Sequence, residues 1–370
     1  MPAMQSPDVR ILGSGIVSRT AALALAHDGH AVALQRRPAA TGAPDLRAYA
    51  LNPASVALLQ RLKVWEALPE DARTPVHDMR VHGDQAASVA FSSWSQSVPA
   101  LAWIVDAAAL EDTLEAAVRF TPRVTLQDEP AAAALTLVAE GKASAAREAL
   151  GVRFVRHPYG HAALAARLVA DTPHLGVARQ WFRSPDILAL LPLDRPEPGR
   201  SYALVWSLPE AEATRWRDAP AAELEAALNE ASAGQAGTLR LASERATWPL
   251  ALGHASAVSG PGWALLGDAA HVVHPLAGQG LNLGLADVAA LAEVLAGRES
   301  WRPLGDADLL RRYARRRAGP NRLMAQATDG LWHLFGHPSP VLRELRNHGL
   351  TLVDQLAPLK RWLVGRALDA

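Results

Sequence analysis

A short segment late in the chain constrains the fold more than any other. The apolar run 264–266 ends at Gly267 and Asp268, a pattern that predicts a buried strand with a carboxylate at its carboxyl end. A carboxylate in that position can accept hydrogen bonds from the hydroxyl groups of a ligand. Gly267 and Asp268 are therefore candidate binding residues at the end of a sheet strand.

A glycine-bounded loop leads from this carboxylate into a helix. Residues 275–280 include several small residues in a row, and the apolar spacing from Gln279 to Leu295 predicts a helix. Backbone N–H groups at the helix start can stabilise negative charge on a bound ring. A structural loop with an N-terminal cap is the alternative. The loop residues expected to lie beside such a ring are Pro275, Gly278 and Gln279. Further binding candidates at the start of the helix are Gly280, Leu281 and Asn282.

The N-terminus predicts a second nucleotide-binding element. An apolar strand (9–12), a tight turn, a helix from Arg19 to His27 and a second apolar strand (31–34) span about 30 residues, the size of a βαβ dinucleotide unit. Gly13 and Gly15 in the turn let the backbone approach a pyrophosphate, which the free N–H groups of the helix attract.

Two positions depart from the usual dinucleotide-binding pattern. Ser18 stands where the third glycine is expected, and Gln35 stands where an acidic residue would hold ribose hydroxyls. As a neutral amide, Gln35 binds a hydroxyl less strongly than a carboxylate would. Gln35 and the adjacent Arg36 are candidate cofactor contacts, and a plain βαβ turn of another α/β fold stays open as the alternative.

The remaining pattern predicts a mixed α/β fold. Residues 76–92 and 151–208 are rich in β-formers, and prolines divide the second stretch into what we expect to be antiparallel strands. Asp106 is the predicted cap of a helix, and the chain after Asp306 is mostly helical. The predicted architecture is a Rossmann-like nucleotide-binding domain (1–75, 101–150 and 240–298) interrupted by an antiparallel-sheet substrate domain (76–100 and 151–239) and followed by C-terminal helices (299–370).

Composition excludes several classes of function. The chain of 370 residues carries 37 basic and 37 acidic residues, so a nucleic-acid partner has no electrostatic support. The absence of cysteine excludes disulfides, thiolate chemistry and cysteine-ligated zinc. His333 and His337 lie one helical turn apart without a third ligand nearby, so we expect no metal. The N-terminus has no secretory pattern and no run approaches the roughly 20 apolar residues of a spanning helix, so we expect a cytoplasmic protein.

The segment 267–282 resembles the second FAD-binding motif of the para-hydroxybenzoate hydroxylase group. Within that group the chain is most similar to the ubiquinone-biosynthesis hydroxylases, and the likeness covers almost the whole chain. The other matching segments are Gly13 to Val17, Arg47 to Trp65, Ala139 to Ser144 with Arg147, Leu190 to Leu193, Val205 to Ser207, Leu310 to Arg317, Leu345 to Asn347 and Pro358 to Lys360.

This resemblance implies FAD as the cofactor and NAD(P)H as the electron donor. The reduced flavin would use O2 to hydroxylate an electron-rich, lipophilic phenol that carries a polyprenyl chain, and the reactive atom would belong to the cofactor. Arg47 is implied to contact the FAD pyrophosphate. Other ubiquinone-biosynthesis proteins are the implied partners. The stretch from Val341 to Leu368 mixes Leu and Val with Arg and Lys, which fits peripheral membrane contact, a partner helix or the protein's own core.

Further departures from the family fall mostly at the AMP end of the cofactor. Glu140 stands where the family usually has aspartate, residues 118–137 are short for the strands near the adenine, and residues 182–186 lack an expected Gly-Pro pair. Two alternatives therefore stay open beside the proposed hydroxylase. One is a hydroxylase of a small soluble aromatic. The other, which Ser18, Gln35 and the short stretch 118–137 motivate, is a non-catalytic relative that serves as a structural partner in an assembly.

Overall fold

The computed structural model describes residues 6–36, 45–83, 88–273 and 279–336. The strands in these ranges are β1 (Val9–Leu12), β2 (Val32–Gln35), β3 (Ala48–Leu51), β4 (Arg73–Val76), β5 (Asp78–His82), β6 (Ser88–Ser92), β7 (Ala102–Asp106), β8 (Val124–Gln127), β9 (Leu135–Val138), β10 (Phe154–Ala170), β11 (Val177–Arg183), β12 (Asp186–Leu193), β13 (Ser201–Pro209), β14 (Leu239–Leu241), β15 (Ala246–Ala255), β16 (Ser259–Gly260), β17 (Trp263–Leu265) and β18 (His271–Val272). The helices are α1 (Ile16–His27), α2 (Pro53–Arg61), α3 (Ser93–Gln96), α4 (Ala107–Arg119), α5 (Ala145–Ala149), α6 (Glu210–Asp218), α7 (Ala221–Ala231), α8 (Gln279–Ala296) and α9 (Ala307–Gly336).

One sheet of six strands has the order β16-β17-β9-β1-β2-β8. All its pairs are parallel except β16 with β17. Helices α1, α2, α4, α8 and α9 contribute to the apolar core around it. Because β1, β9 and β17 are parallel neighbours, their carboxyl ends meet at one edge of the sheet, and the turns that follow Leu12, Val138 and Leu265 lie side by side there.

A second sheet of nine strands is mostly antiparallel, with the order β18-β15-β10-β13-β12-β11-β5-β6 and β14 beside β10. Helices α6 and α7 cover one of its faces and form an apolar core with it. The parallel pairing of β5 with β11 brings the early hairpin into the same sheet as the later strands. A third sheet, β3-β7-β4, has antiparallel pairs.

The predicted fold class is confirmed, since parallel and antiparallel sheets are combined with a long helix at the C-terminal end of the described chain. The domain limits stay a prediction. Strand β15, which the predicted limits place with the nucleotide-binding part, and β14, which spans the predicted boundary at 239/240, both pair with β10 of the large sheet. None of the helices in the described ranges is long and apolar enough to cross a membrane.

Two helix starts follow from their capping residues, and the cap at Asp106 is the predicted one. The Asn52 side chain accepts a hydrogen bond from the backbone N–H of Ser55 at 2.8 Å at the start of α2. The Asp106 carboxylate accepts one from the N–H of Ala109 at 3.0 Å at the start of α4. Helix α1 begins at Ile16, three residues earlier than its apolar pattern predicted, because the glycine turn leads into it directly.

Candidate active site

A cavity of about 640 Å³ lies between the carboxyl edge of the parallel sheet and the face of the large sheet that α6 and α7 leave open. Its volume lies within the range of sites that bind small molecules and cofactors. Several residues selected from the sequence line it together, namely Gly13, Gly15, Gln35, Arg47, Asp268, Gly280 and Leu281. The structure therefore brings the N-terminal turn and the late strand–helix segment to one site, although more than 200 residues separate them in sequence.

The turn between β1 and α1 approaches the neighbouring strand closely. Gly13 has φ +112°, and a Cβ there would lie 2.3 Å from the carbonyl oxygen of Ala139. A Cβ at Gly15 would meet no atom within 4 Å, so this position faces open cavity. Ser18, the departure from the usual third glycine, is fully buried, and its hydroxyl accepts from the N–H of Gly15 at 3.1 Å and donates to the carbonyl of Ala139 at 3.4 Å. Ser18 thus holds the turn in place.

Gln35 is also bound to this turn. Its Oε1 accepts a hydrogen bond from the N–H of Gly13 at 2.7 Å. The Nε2 group has no hydrogen-bond partner among residues 6–36 or the other described ranges, so it can donate to a ligand at the cavity wall. An amide therefore fixes the glycine turn and still offers a donor at the position where an acidic residue was expected.

Arg36 points elsewhere. Its Nε forms an ion pair with Asp128 at 3.1 Å, and its Nη2 donates to the carbonyl of Leu126. Arg36 lines a second cavity of about 480 Å³, and Gln35 lines this cavity as well. The structure does not bring the predicted contact Arg36 to the main cavity, so its assignment to the cofactor stays a prediction.

Arg47 lies at the cavity but is held by a carboxylate. Its Nε and Nη2 donate to Asp45 at 2.6–3.0 Å. Burial opposes ionisation of Asp45, but the contact with Arg47 holds the pKa of that carboxyl below its ordinary value. The Nη1 atom of Arg47 makes no hydrogen bond within the described part of the chain. Arg47 can therefore present one donor edge to an anion in the cavity while Asp45 fixes its orientation.

Asp268 projects into the cavity from the 3-10 turn Gly267–Ala269. Burial raises the pKa of its carboxyl above the ordinary value, although Lys142, His271 and Arg47 oppose that shift. The carboxylate makes no hydrogen bond to any of the residues that the structure describes. A shielded carboxylate without a partner is costly, and hydroxyl donors of a ligand would satisfy it.

A buried network fixes the backbone of this turn from behind. Asp287 on α8 is fully buried, and its Oδ2 accepts from the N–H of Gly267 at 3.0 Å and lies 2.7 Å from Nε2 of His271. Its Oδ1 accepts from Nε of Arg317 on α9 at 2.7 Å. Burial lowers the pKa of His271, but the Asp287 carboxylate outweighs this and raises it overall. His271 is thus a structural partner of Asp287.

The start of α8 also faces the cavity, through Gly280 and Leu281. A Cβ at Gly284 would lie 2.7 Å from the Val17 side chain, so glycine there allows α8 to pack closely on α1. The first N–H groups of a helix lack partners within the helix and carry a partial positive charge. The predicted contacts Pro275 and Gly278 lie outside the described residues, and Gln279 is the first residue of α8.

Asn282 is engaged within the protein. Its Oδ1 accepts from the N–H of Asn52 at 3.0 Å and from the hydroxyl of Ser55 at 2.8 Å, and its Nδ2 donates to the carbonyl of Ala50 at 2.7 Å. These bonds tie α8 to β3 and α2 and engage the side chain of Asn282 within the protein. Glu140 likewise uses its carboxylate locally, because its Oε2 accepts from Ser144 and from a backbone N–H at the start of α5.

The opposite wall of the cavity is mostly apolar and was not found from the sequence. It is built by alternate residues of the large sheet, including Ala163, Ala165, Ile187, Ala189, Val205, Ser207 and Trp248. Alternation along each strand shows that two faces exist. It does not show which face the helices cover, so these residues had no signal that distinguished them from the core. Among the described residues, no group of His, Asp and Glu has a metal-binding arrangement.

Comparisons with known proteins agree with this geometry. Residues 107–328 match the family described as "FAD binding domain". The solved structure of p-nitrophenol 4-monooxygenase PnpA from Pseudomonas putida DLL-E4 has the same fold, with a TM-score of 0.76 at 18% identity over 98% of each chain. The family match and the cavity define an FAD-binding protein, and its residues fit the cofactor because the open turn at Gly15 and the unpartnered Asp268 carboxylate face one space.

Two relatives place the chain more narrowly. It is 30% identical to the 3-demethoxyubiquinol 3-hydroxylase of Escherichia coli (strain K12), over 98% of this chain and 99% of that protein. It is also 30% identical to the ubiquinone hydroxylase UbiL of Rhodospirillum rubrum, over 98% of this chain and 89% of that protein. The chain belongs to the family of ubiquinone-biosynthesis FAD-dependent hydroxylases.

Proposed function

We propose that this enzyme hydroxylates the ring of a lipophilic phenol in ubiquinone biosynthesis. The observation that carries the proposal is the continuity of one cavity, which joins a polar edge with the unpartnered Asp268 to an apolar wall on the large sheet. The names of the relatives support the same substrate class. NAD(P)H, the donor typical of the family, would supply the electrons.

The polar edge has the groups that FAD requires. We assign the pyrophosphate to the open turn at Gly15 and the start of α1, with Arg47 as a second contact. We assign the ribityl hydroxyls to Asp268 and the flavin ring to the N-terminal end of α8. When bound, FAD supplies the electron transfer to O2 that ring hydroxylation needs. The protein binds and orients the cofactor and excludes water from the ring.

The departures at the AMP end do not favour the non-catalytic alternative. Ser18 and Gln35, which together with the short stretch 118–137 motivate that alternative, both make hydrogen bonds that hold the glycine turn. The apolar wall favours a lipophilic phenol over a small soluble aromatic, because an apolar pocket gains binding free energy from each buried methylene of the substrate. Contact with a membrane and with other biosynthetic proteins stays a proposal, since residues 341–368 lie outside the described chain.

The test is the fate of the oxygen atom. The purified full chain, loaded with FAD, is incubated with NADH or NADPH and isotopically labelled O2, and with either 2-geranylphenol or unsubstituted phenol. We expect labelled oxygen in the ring of 2-geranylphenol and much less product from phenol. Preferred hydroxylation of phenol would support the small-aromatic alternative. Oxidation of NAD(P)H without labelled product from either compound would contradict the proposed function.

A further inference from the structure

We propose that Ser207 positions the substrate by accepting a hydrogen bond from the phenol hydroxyl. This inference rests on the proposed function and assigns a specificity-determining residue to it. The relevant chemistry is simple, because a serine hydroxyl and a phenol hydroxyl can each donate and accept. Ser207 would act by orientation, which places one ring carbon rather than another towards the cofactor.

The hydroxyl of Ser207 is buried without a partner. Its Oγ is shielded from bulk water and has no hydrogen bond within the described ranges, although the residue lines the cavity. Its neighbours along β13, Trp206 and Leu208, pack in the core beneath α6 and α7. Because side chains alternate along a strand, Ser207 faces the opposite side, together with Val205.

The strands on both sides offer Ser207 no partner. Ala163 of β10 and Ile187 of β12 lie directly opposite it in register, and both carry apolar side chains. A buried hydroxyl surrounded by hydrocarbon is unfavourable unless something bonds to it. A hydroxyl group of a substrate bound in this cavity can supply that bond.

The surface beside Ser207 suits an aromatic ring. Trp248 of β15 lies opposite Ala163 in register and lines the same cavity, so it stands in the same row across the sheet as Ser207. The small side chain of Ala163 separates the two. An indole ring and a hydroxyl separated by one alanine present a flat apolar surface with one polar point, which matches a phenol. Gln180, another polar residue of this wall, pairs with Ala189 and so belongs to a different row.

The experiment compares two ligands on three proteins. The probes are 2-geranylphenol and its methyl ether, 2-geranylanisole, and the readout is the equilibrium dissociation constant from the change in the flavin spectrum of the FAD-loaded protein. For Ser207→Ala we expect 2-geranylphenol to bind about three- to tenfold more weakly, the effect of one hydrogen bond. The methyl ether, which cannot donate, should lose much less. Ser207→Thr keeps the hydroxyl and should restore most of the phenol affinity.

A second readout separates positioning from folding. The FAD affinity of Ser207→Ala should match that of the unmodified protein, and its unfolding midpoint should be equal or higher, because the substitution removes a buried hydroxyl without a partner. A larger share of the NAD(P)H consumed should end as hydrogen peroxide rather than as hydroxylated product. Equal weakening of both ligands, or of neither, would overturn the role of Ser207 and leave the proposed function standing. If 2-geranylphenol does not bind the unmodified protein, both the substrate class and this inference fail.

Discussion

The two glycines of the β1–α1 turn should respond differently to the same substitution. In Gly13→Ala, the new methyl carbon would lie 2.3 Å from the carbonyl oxygen of Ala139, at a φ of +112°. A non-glycine residue in such a conformation costs about 1–3 kcal/mol, and the overlap with β9 adds about 1–3 kcal/mol of overpacking. The free energy of unfolding should therefore fall by about 2–6 kcal/mol, a large part of the roughly 5–15 kcal/mol typical of a domain.

Gly15→Ala should leave the stability of the flavin-free protein nearly unchanged. Gly15 has φ −88°, which alanine adopts readily, and its added methyl group would meet no atom within 4 Å. The loss of glycine at a helix N-cap and the reduced freedom of the unfolded chain have opposite signs and similar sizes, each about 1 kcal/mol or less. The methyl group would instead enter the space assigned to the pyrophosphate, so FAD affinity should fall.

The assay is urea unfolding of both flavin-free variants, followed by tryptophan fluorescence, together with FAD titration of each. We expect Gly13→Ala to lower the unfolding midpoint and Gly15→Ala to lower FAD affinity alone. Equal midpoints for Gly13→Ala and the unmodified protein would refute the steric argument. A midpoint lowered as much in Gly15→Ala as in Gly13→Ala would refute the distinction between a packing glycine and a ligand-facing glycine.

Three further results follow from the polar side chains in and around the cavity. Asn282→Ala removes three side-chain bonds, so the unfolding free energy should fall by about 2–4 kcal/mol, and an unchanged urea midpoint would count against this clamp. Contact with Asp287 raises the folded pKa of His271 above 6.5, so protonation of His271 stabilises the fold fully below pH 6.5 and less as the pH rises through the folded pKa. His271→Gln should flatten this part of the plot of unfolding free energy against pH. An unchanged plot would contradict the role of the His271–Asp287 contact. Asp268→Asn removes a shielded carboxylate whose pKa is raised, so the flavin-free protein should be more stable at neutral pH. A lower urea midpoint for this variant would show that the Asp268 carboxylate has a stabilising partner within the protein.

The elements that carry the site could be predicted because their signals are local. The apolar run before Asp268, the spacing of α8 and the cap at Asp106 each depend on neighbours within a few residues, and the structure has these elements where the sequence placed them. The glycine turn after β1 and the Asp268 turn after β17 meet at one sheet edge because β1, β9 and β17 pair in parallel.

The roles of individual polar side chains could not be predicted in the same way. Gln35 bonds to Gly13, 22 residues away, and Asn282 bonds to Asn52, 230 residues away. These partners come together only when the chain folds. From the residue type at a motif position, the sequence predicted a ligand contact. In the structure, the same side chain also forms hydrogen bonds with the protein. Ser207 shows the converse, since nothing near it in sequence distinguishes its cavity-facing hydroxyl from a solvent-exposed one.

The most direct test of the account is FAD binding by the unmodified protein and by Asp268→Ala. The account predicts one FAD per chain for the unmodified protein and a loss of affinity of about tenfold or more for Asp268→Ala, the effect of a hydrogen bond to a charged group. The variant should unfold at the same or a higher urea concentration when free of flavin. A protein that binds no FAD, or an Asp268→Ala variant that binds it as tightly as the unmodified protein, would contradict the assignment of this cavity.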